Sequence, residues 1–436
     1  MGVGTGGVNS GIAAPLTLPC GVVLANRIGK GAMTEGLATP DGRPTPELER
    51  LYTLWAAGGA GMLLTGNVQI DADHLERPGN VVIDRAPDAA MRAALIAWAK
   101  AGTANGTQLW MQISHAGRQT PAIVNKTPKA PSAVKVGLPG GNFGTPVALT
   151  EAEIEALIAR FVAAALVAQD TGFSGVQFHA AHGYLLSAFL SPRANVRTDQ
   201  WGGSLENRAR MLIAVVTRAR AALGAGFPIS VKLNSADFQR GGFAFDESVI
   251  VAGWLEAAGV DLIEISGGSY EQPRMMDMSG LEAGEEPLVA KSTQAREAYF
   301  VDFARAMKAS VKVPLMVTGG FRSRAAMDHA LSTGGADLIG IGRPMCADTD
   351  APDQLLGGAA ALIRWERQLH LLPTPLRWLK RFGLVRAIDS FAITYWYYAQ
   401  LYALGRTGKT DTAMSVLSAW RLVERTHKQL AAARAA

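Results

Sequence analysis

Cysteine is almost absent. The two that occur, Cys20 and Cys346, stand far apart with no CxxC, so neither a disulfide framework nor a cysteine-ligated zinc or iron–sulfur centre can be built. A reducing compartment is therefore expected, and with it a cytoplasmic protein. No unbroken apolar run of about 18 residues occurs, which argues against a membrane-spanning helix. The opening MGVGTGGVNSG has neither the charged nor the apolar stretch of a secretory leader. A dinucleotide-binding fingerprint is missing too. Gly2, Gly4 and Gly7 satisfy GxGxxG, yet no strand pattern precedes them and no helical pattern follows. No third ligand stands at a metal-like spacing from the paired histidines near residue 180, so no metal is expected.

An excess of one charge is confined to the end of the chain. The formal net charge of +5 conceals a split: from Leu355 onward 12 Lys and Arg face 4 Asp and Glu, leaving a net −3 on the first 354 residues. The same tail holds four of the nine Trp and four of the eight Tyr. That shift marks a boundary, giving a flexible terminus over 1–14, a large domain over 15–354, and a last barrel helix with a basic, aromatic-rich helical extension over 355–436. No nucleic-acid partner is expected.

Within the large domain, short apolar runs alternate with longer amphipathic stretches. Strands are predicted at Ile28–Met33, Gly61–Thr65, Gln108–Ile113, Gly175–His179, Ile229–Leu233, Leu262–Ser266, Leu315–Thr318 and Leu338–Ile341. Helices are predicted at Pro46–Ala57, Pro87–Ala101, Glu151–Asp170, Leu205–Leu223, Asp246–Ala258, Gln294–Ala309 and Ser323–Ser332. Thr150 followed by Glu153 is a capping-box pattern at one helix start. Eight strand–helix units fit an α/β (β/α)8 TIM barrel better than a doubly wound sheet. Leu16–Ala25 reads as a hairpin capping the barrel bottom. The long connections after the third strand (Ser114–Leu149) and the sixth (Gly267 to about Lys291) read as lids over a pocket.

A barrel binds at the carboxyl ends of its strands, so polar residues there carry the chemistry. Thr34, Gln112, His179, Lys232 and Ser266 take such places. The turns VTGGFRS at 317–323 and IGRPM at 341–345, from the last two strands, form an anion cradle of backbone N–H groups to which Arg343 adds a charge. In HAAHGY, 179–184, either histidine alone would read as a satisfied structural residue. Together the two imidazoles can donate to one oxyanion while the Tyr184 phenol delivers a proton beside it.

These residues resemble the Old Yellow Enzyme family of FMN-dependent ene-reductases over Leu16–Ala347. The resemblance rests on NRIGKGAMT (26–34), GAGMLLTG (59–66), QLWMQISHAGR (108–118), HAAHGY with SPRANVRTDQWGGSLENR (up to 208), SVKLN (230–234) and the two glycine turns. It implies a barrel holding FMN noncovalently. Ala32, Met33 and Thr34 would line the flavin, with the Thr34 hydroxyl near its C4 carbonyl. Ala60 and Gln112 would meet its pyrimidine edge, and Lys232 would lie near N1. Gly320, Phe321, Gly342 and Arg343 would hold the phosphate. His179 and His182 would bind the carbonyl or nitro oxygen of an activated alkene, hydride would pass from flavin N5 to the β-carbon, and Tyr184 would protonate the α-carbon. NADH or NADPH would reload the flavin. Many members have Pro where this chain has Ala32, and Arg where it has Lys232, an exchange that loses bidentate geometry. Oxidative N-demethylation, isomerisation, or a barrel retained only for binding are the alternative functions. The tail is expected to pack on the barrel or on a second subunit, giving a homo-oligomer, in preference to lying on a membrane surface.

Overall fold

The computed structural model describes residues 11–138, 141–271 and 300–435. Eight parallel strands run in chain order: β1 Ile28–Lys30, β2 Met62–Leu64, β3 Gln108–Ser114, β4 Gly175–Ala180, β5 Ile229–Asn234, β6 Leu262–Ser266, β7 Leu315–Thr318 and β8 Leu338–Ile341. Each pairs with the next, and β8 returns to β1 through Ile339↔Ile28 and Ile341↔Lys30. The sheet therefore closes and leaves no edge to protect. Because both faces of every strand are covered, the strands read as apolar runs.

The predicted barrel is borne out strand by strand, with two shortened: β2 loses one residue at each end, and β1 loses more. β1 ends at Lys30, and Gly31–Thr34 leave the sheet to line the mouth. The helices around the barrel are α1 Pro46–Ala56, α2 Ala89–Gly102, α3 Glu151–Asp170, the short α4 Leu185–Leu190, α5 Leu205–Leu223, α6 Phe245–Ala257, α7 Val301–Met307, α8 Arg324–Ser332 and α9 Ala351–Leu356. The capping box at α3 forms as expected: the Thr150 hydroxyl accepts from Glu153 N–H at 3.2 Å and the Glu153 carboxylate accepts from Thr150 N–H at 2.8 Å. Ile154, Ile158, Phe161 and Ala165 then fall on one buried stripe.

The bottom of the barrel is filled by apolar side chains. Leu16, Leu18 and Leu24 of the hairpin, paired Leu16↔Leu24, pack with Met62, Leu64, Trp110, Leu262, Met316 and Leu338 from the barrel. Gly21, at φ 88°, makes the turn that folds the hairpin back. Order begins earlier than the expected flexible terminus allows. Ile12 is buried and its N–H donates to Asp328 at 3.1 Å, whereas residues 1–10, with the GxGxxG glycines, lie outside the described residues. So do 272–299, which include most of the expected sixth-strand lid and the start of the Gln294–Ala309 helix.

The segment Leu362–Leu372, read as the last barrel helix, carries only a 3-10 turn at Trp365–Arg367. Its place after β8 is taken by α9. Beyond it, α10 Gly383–Thr407 and α11 Val416–Ala435 pack against the barrel. Arg50 of α1 donates to the Arg406 carbonyl at 3.0 Å, while Arg434 donates to Pro40 O at 2.7 Å and Ala72 O at 2.8 Å. A Cβ on Gly405 would stand 2.9 Å from Leu37 Cδ1 and 3.2 Å from Glu47 O, so the helix approaches α1 closely there. The tail thus settles on loops at the carboxyl ends of the strands. Among the described residues, no helix is long and apolar enough to cross a membrane.

Trp396 anchors this packing. It is fully buried, 5.5 Å from the Trp365 ring, and donates to Met414 O at 2.9 Å. Trp396→Ala should lower the unfolding free energy by about 3–5 kcal/mol in a urea titration of the full chain. A loss near zero would show that the tail does not pack as described.

Candidate active site

β4 is buried along its length, and its register sets His179 beside Lys232 of β5. The chain then turns sharply. His182 has φ 64° and Gly183 φ 80°, a left-handed pair that costs a non-glycine residue on the order of 1–3 kcal/mol unless its surroundings hold it. They do. The His182 N–H donates to Asn234 Oδ1 at 3.0 Å and its carbonyl accepts from Gln119 Nε2 at 2.8 Å. A Cβ on Gly183 would collide with Gln119 Oε1 at 2.8 Å.

This turn gathers three rings. The centroids of His179 and His182 are 5.0 Å apart, those of His179 and Tyr184 4.9 Å. His179 Nδ1 accepts from the Ala181 N–H at 3.2 Å, which leaves Nε2 carrying the proton. His182 Nε2 lies 2.6 Å from Ser266 Oγ. With the serine hydroxyl donating there, His182 presents Nδ1–H. Burial, with the Lys232 ammonium nearby, holds both imidazoles well below their usual pKa. Near pH 7 both rings are therefore neutral, and in the tautomer in which Ser266 donates to His182 Nε2 each has an N–H left to give. Burial pushes the Tyr184 phenol well above its usual pKa, so it keeps its proton.

Beneath the rings, polar side chains project into the barrel at alternate strand positions. Lys232 Nζ lies 3.0 Å from Glu264 Oε1, Gln177 Nε2 donates to Glu264 Oε2 at 2.9 Å, and Gln112 Nε2 donates to Gln177 Oε1 at 2.7 Å. Gln112 Oε1 and Thr318 Oγ1 remain buried without partners, and such orphaned groups call for a ligand. The glycine turns stand side by side, since Thr318 of β7 pairs with Gly340 of β8. Gly319 and Gly320 have φ 146° and 75°, and a Cβ on Gly342 would meet nothing nearer than Met33 Sδ at 3.9 Å. The buried polar groups of Gln112 and Lys232 and the two adjacent glycine turns thus line one end of the barrel, and exposed backbone N–H groups at such turns can take an anion.

Ala32, Met33 and Thr34 form a half-buried wall at the mouth, with Met33 Sδ 3.3 Å from Cys346 Sγ. Phe321 is buried in the core, so only its backbone can reach an anion. Ala60 is misplaced. It precedes β2 at the opposite end of the barrel, next to Gly61, whose N–H donates to Asn26 Oδ1 at 3.0 Å. The mouth end of β2 carries Thr65 and Gly66, and Thr65 Oγ1 accepts from Gln112 N–H at 2.8 Å. Sequence reasoning also missed Gln177, Asn234 and Glu264, although alternation of polar residues within apolar strands signals them. Gln119, Tyr270 and Glu76 sit on loops and gave no such signal. Tyr184 Oη is 2.8 Å from Tyr270 Oη, which donates to Glu76 Oε1 at 3.2 Å.

Asp71, His74 and His115 form a second cluster, yet its protons face inward. His74 Nε2 accepts from Lys129 N–H at 2.8 Å and His115 Nδ1 from Gly117 N–H at 3.0 Å. The nitrogens turned to Asp71, at 3.3 and 3.8 Å, therefore bear hydrogen. This is a clamp between loops, suited to a carboxylate and not to a cation.

A family model described as NADH:flavin oxidoreductase / NADH oxidase family matches residues 12–360. The chain is 39% identical over 346 residues to the NADH-dependent flavin oxidoreductase iliE of Neonectria sp., covering 76% of this chain but only 45% of that protein. It is 34% identical over 416 residues to the NADH-dependent flavin oxidoreductase iccE of Talaromyces variabilis, covering 91% and 99%. Among solved structures, the old yellow enzyme homologue from Zymomonas mobilis aligns with a TM-score of 0.66 at 25% identity, covering 80% of this chain and 94% of that one.

The clamp makes a prediction of its own. Burial, with His74 beside it, pushes the His115 imidazole down to about 4. As pH falls below the ordinary value near 6.5, the unfolded chain takes up a proton that the folded chain refuses. Stability contributed at neutral pH is thus lost between about 6.5 and 4, by up to roughly 3 kcal/mol. Urea midpoints should fall steeply over that window and less steeply in His115→Gln. Equal slopes in the two proteins would refute this.

Proposed function

The chain belongs to the NADH:flavin oxidoreductase / NADH oxidase family, and from that membership we propose that it holds FMN noncovalently, takes hydride from NADH or NADPH, and reduces activated double bonds of unsaturated carbonyl or nitro compounds. The observation that carries the reading is the gathering of two buried imidazoles and a phenol on one pinned turn. FMN, when bound, supplies the two-electron exchange.

His179 Nε2–H and His182 Nδ1–H would donate to the substrate oxygen. Because both rings are neutral, they stabilise the negative charge that develops there without surrendering a proton. Lys232 keeps them so and places a cation near the cofactor's polar edge. Tyr184 delivers its proton to the α-carbon. The orphaned Gln112 and Thr318 oxygens would be satisfied by the cofactor, and the glycine turns with Arg343 would take its phosphate.

Purified protein should be yellow, and acid precipitation should release all of the flavin into the supernatant; colour kept in the pellet would overturn noncovalent binding. Anaerobic titration with NADH or NADPH should bleach it. Cyclohexenone, maleimide or a nitroalkene should restore the colour with one saturated product per turnover. Failure of all three to reoxidise the flavin would overturn the reading.

In His179→Ala or His182→Ala, the reoxidation step should slow about a hundredfold, on the order of 3 kcal/mol for one lost oxyanion donor, while reduction changes less. Parent rates in both would remove the turn from the mechanism.

A further inference from the structure

Tyr184 does not stand alone, and the groups facing it come from three parts of the chain. Its hydroxyl is 2.8 Å from that of Tyr270, in the connection after β6. Tyr270 in turn donates to Glu76 Oε1 at 3.2 Å, from the connection after β2. The other carboxylate oxygen of Glu76 lies 3.6 Å from Arg77 Nε, and the Arg77 guanidinium lies over the Tyr398 ring at 3.7 Å, on α10. His179 and His182 face Tyr184 from its own turn. All of Tyr184, Tyr270, Glu76 and Arg77 are buried or nearly so.

The direction of this chain follows from donor counting. A carboxylate accepts only, so while it holds the Tyr270 proton, the Tyr270 oxygen is left to accept from the Tyr184 hydroxyl. Tyr270 has one proton and two acceptors within reach, Glu76 and Tyr184.

We propose that Tyr270 is a positioning residue for protonation at carbon, its hydroxyl turning from Glu76 to the Tyr184 oxygen as Tyr184 releases its proton. The proposal rests on Tyr184 being the proton donor. In the step, the Tyr184 O–H bond breaks and a C–H bond forms at the substrate's α-carbon. The enolate's negative charge passes to the Tyr184 oxygen, where the Tyr270 hydroxyl meets it with a hydrogen bond. A proton from solvent water then restores Tyr184, and the Tyr270 hydroxyl returns to Glu76. Arg77, stacked on the Tyr398 ring, stands 3.6 Å from Glu76 Oε2 and holds that carboxylate in place, which gives the C-terminal extension a part in positioning it.

The test separates the half-reactions by stopped flow in the FMN-loaded full chain, with flavin content and melting temperature checked in each variant. Tyr270→Phe should slow reoxidation by cyclohexenone about tenfold, the loss of one hydrogen bond to a charged oxygen. It should leave reoxidation by a nitroalkene within about twofold, because a nitronate can depart unprotonated. In a Tyr184→Phe background, the same substitution should cost nothing further. Equal slowing of both substrates, parent rates with both, or an additional loss in the double variant would overturn the proposal. If Tyr184→Phe itself reduces the enone at the parent rate, the proton-donor reading falls and takes this role with it. If Tyr184→Phe is slow and Tyr270→Phe is not, only the role of Tyr270 falls.

Discussion

The catalytic end of the molecule depends on one peptide, that of His182. Its left-handed conformation is locally unfavourable for a residue with a side chain, and it persists because Asn234 on β5 and Gln119 in the loop after β3 grip its N–H and carbonyl. Those two bonds tie three strand ends together. They turn the His182 ring toward Ser266, bring it beside His179, and start the short helix headed by Tyr184. Without the grip, the turn would relax toward extended backbone and the three rings would separate.

The barrel is divided into a dry half and a polar half. At its bottom, the hairpin leucines seal an apolar plug that contributes hydrophobic stability. Above the plug lie Gln112, Gln177, Lys232 and Glu264, a buried network that costs desolvation and would be more stable replaced by packed hydrocarbon. Gln112 Oε1 in this network and Thr318 Oγ1 at the end of β7 are buried without a partner in the chain, a cost that a bound ligand would offset. The tail helices offset part of that cost by burying Trp396, Leu401 and Tyr402, with Tyr402 set close to Gly36 in the loop after β1.

Much of this was legible in the sequence because local pattern and global fold agree. Glycine-bounded apolar runs located all eight strands, and three of them, β6 to β8, to the residue. The trio His179, His182 and Tyr184 stood out because a strand end and its turn place neighbours in sequence close in space. Ala60 failed for the converse reason. The run GAGMLLTG has small residues at both ends of a short strand, and nothing local says which end faces the ligand. Tyr184 meets Tyr270 across 86 residues, and Tyr270 meets Glu76 across 194; no periodicity encodes such meetings. Leu362–Leu372 read as a helix by its apolar spacing, but Trp365 is drawn away to Asp348 and Trp396. Tertiary contact there outweighs propensity.

The proposed function depends on a pinned turn that presents two neutral N–H donors to a single oxyanion. The most direct measurement is the dissociation constant of a phenol, whose oxygen mimics an enolate, for the FMN-loaded protein and for Asn234→Ala, which releases the His182 N–H without touching either imidazole. Binding should weaken about tenfold or more in Asn234→Ala, roughly 1.4 kcal/mol, with flavin retained. Unchanged affinity in Asn234→Ala would contradict that dependence.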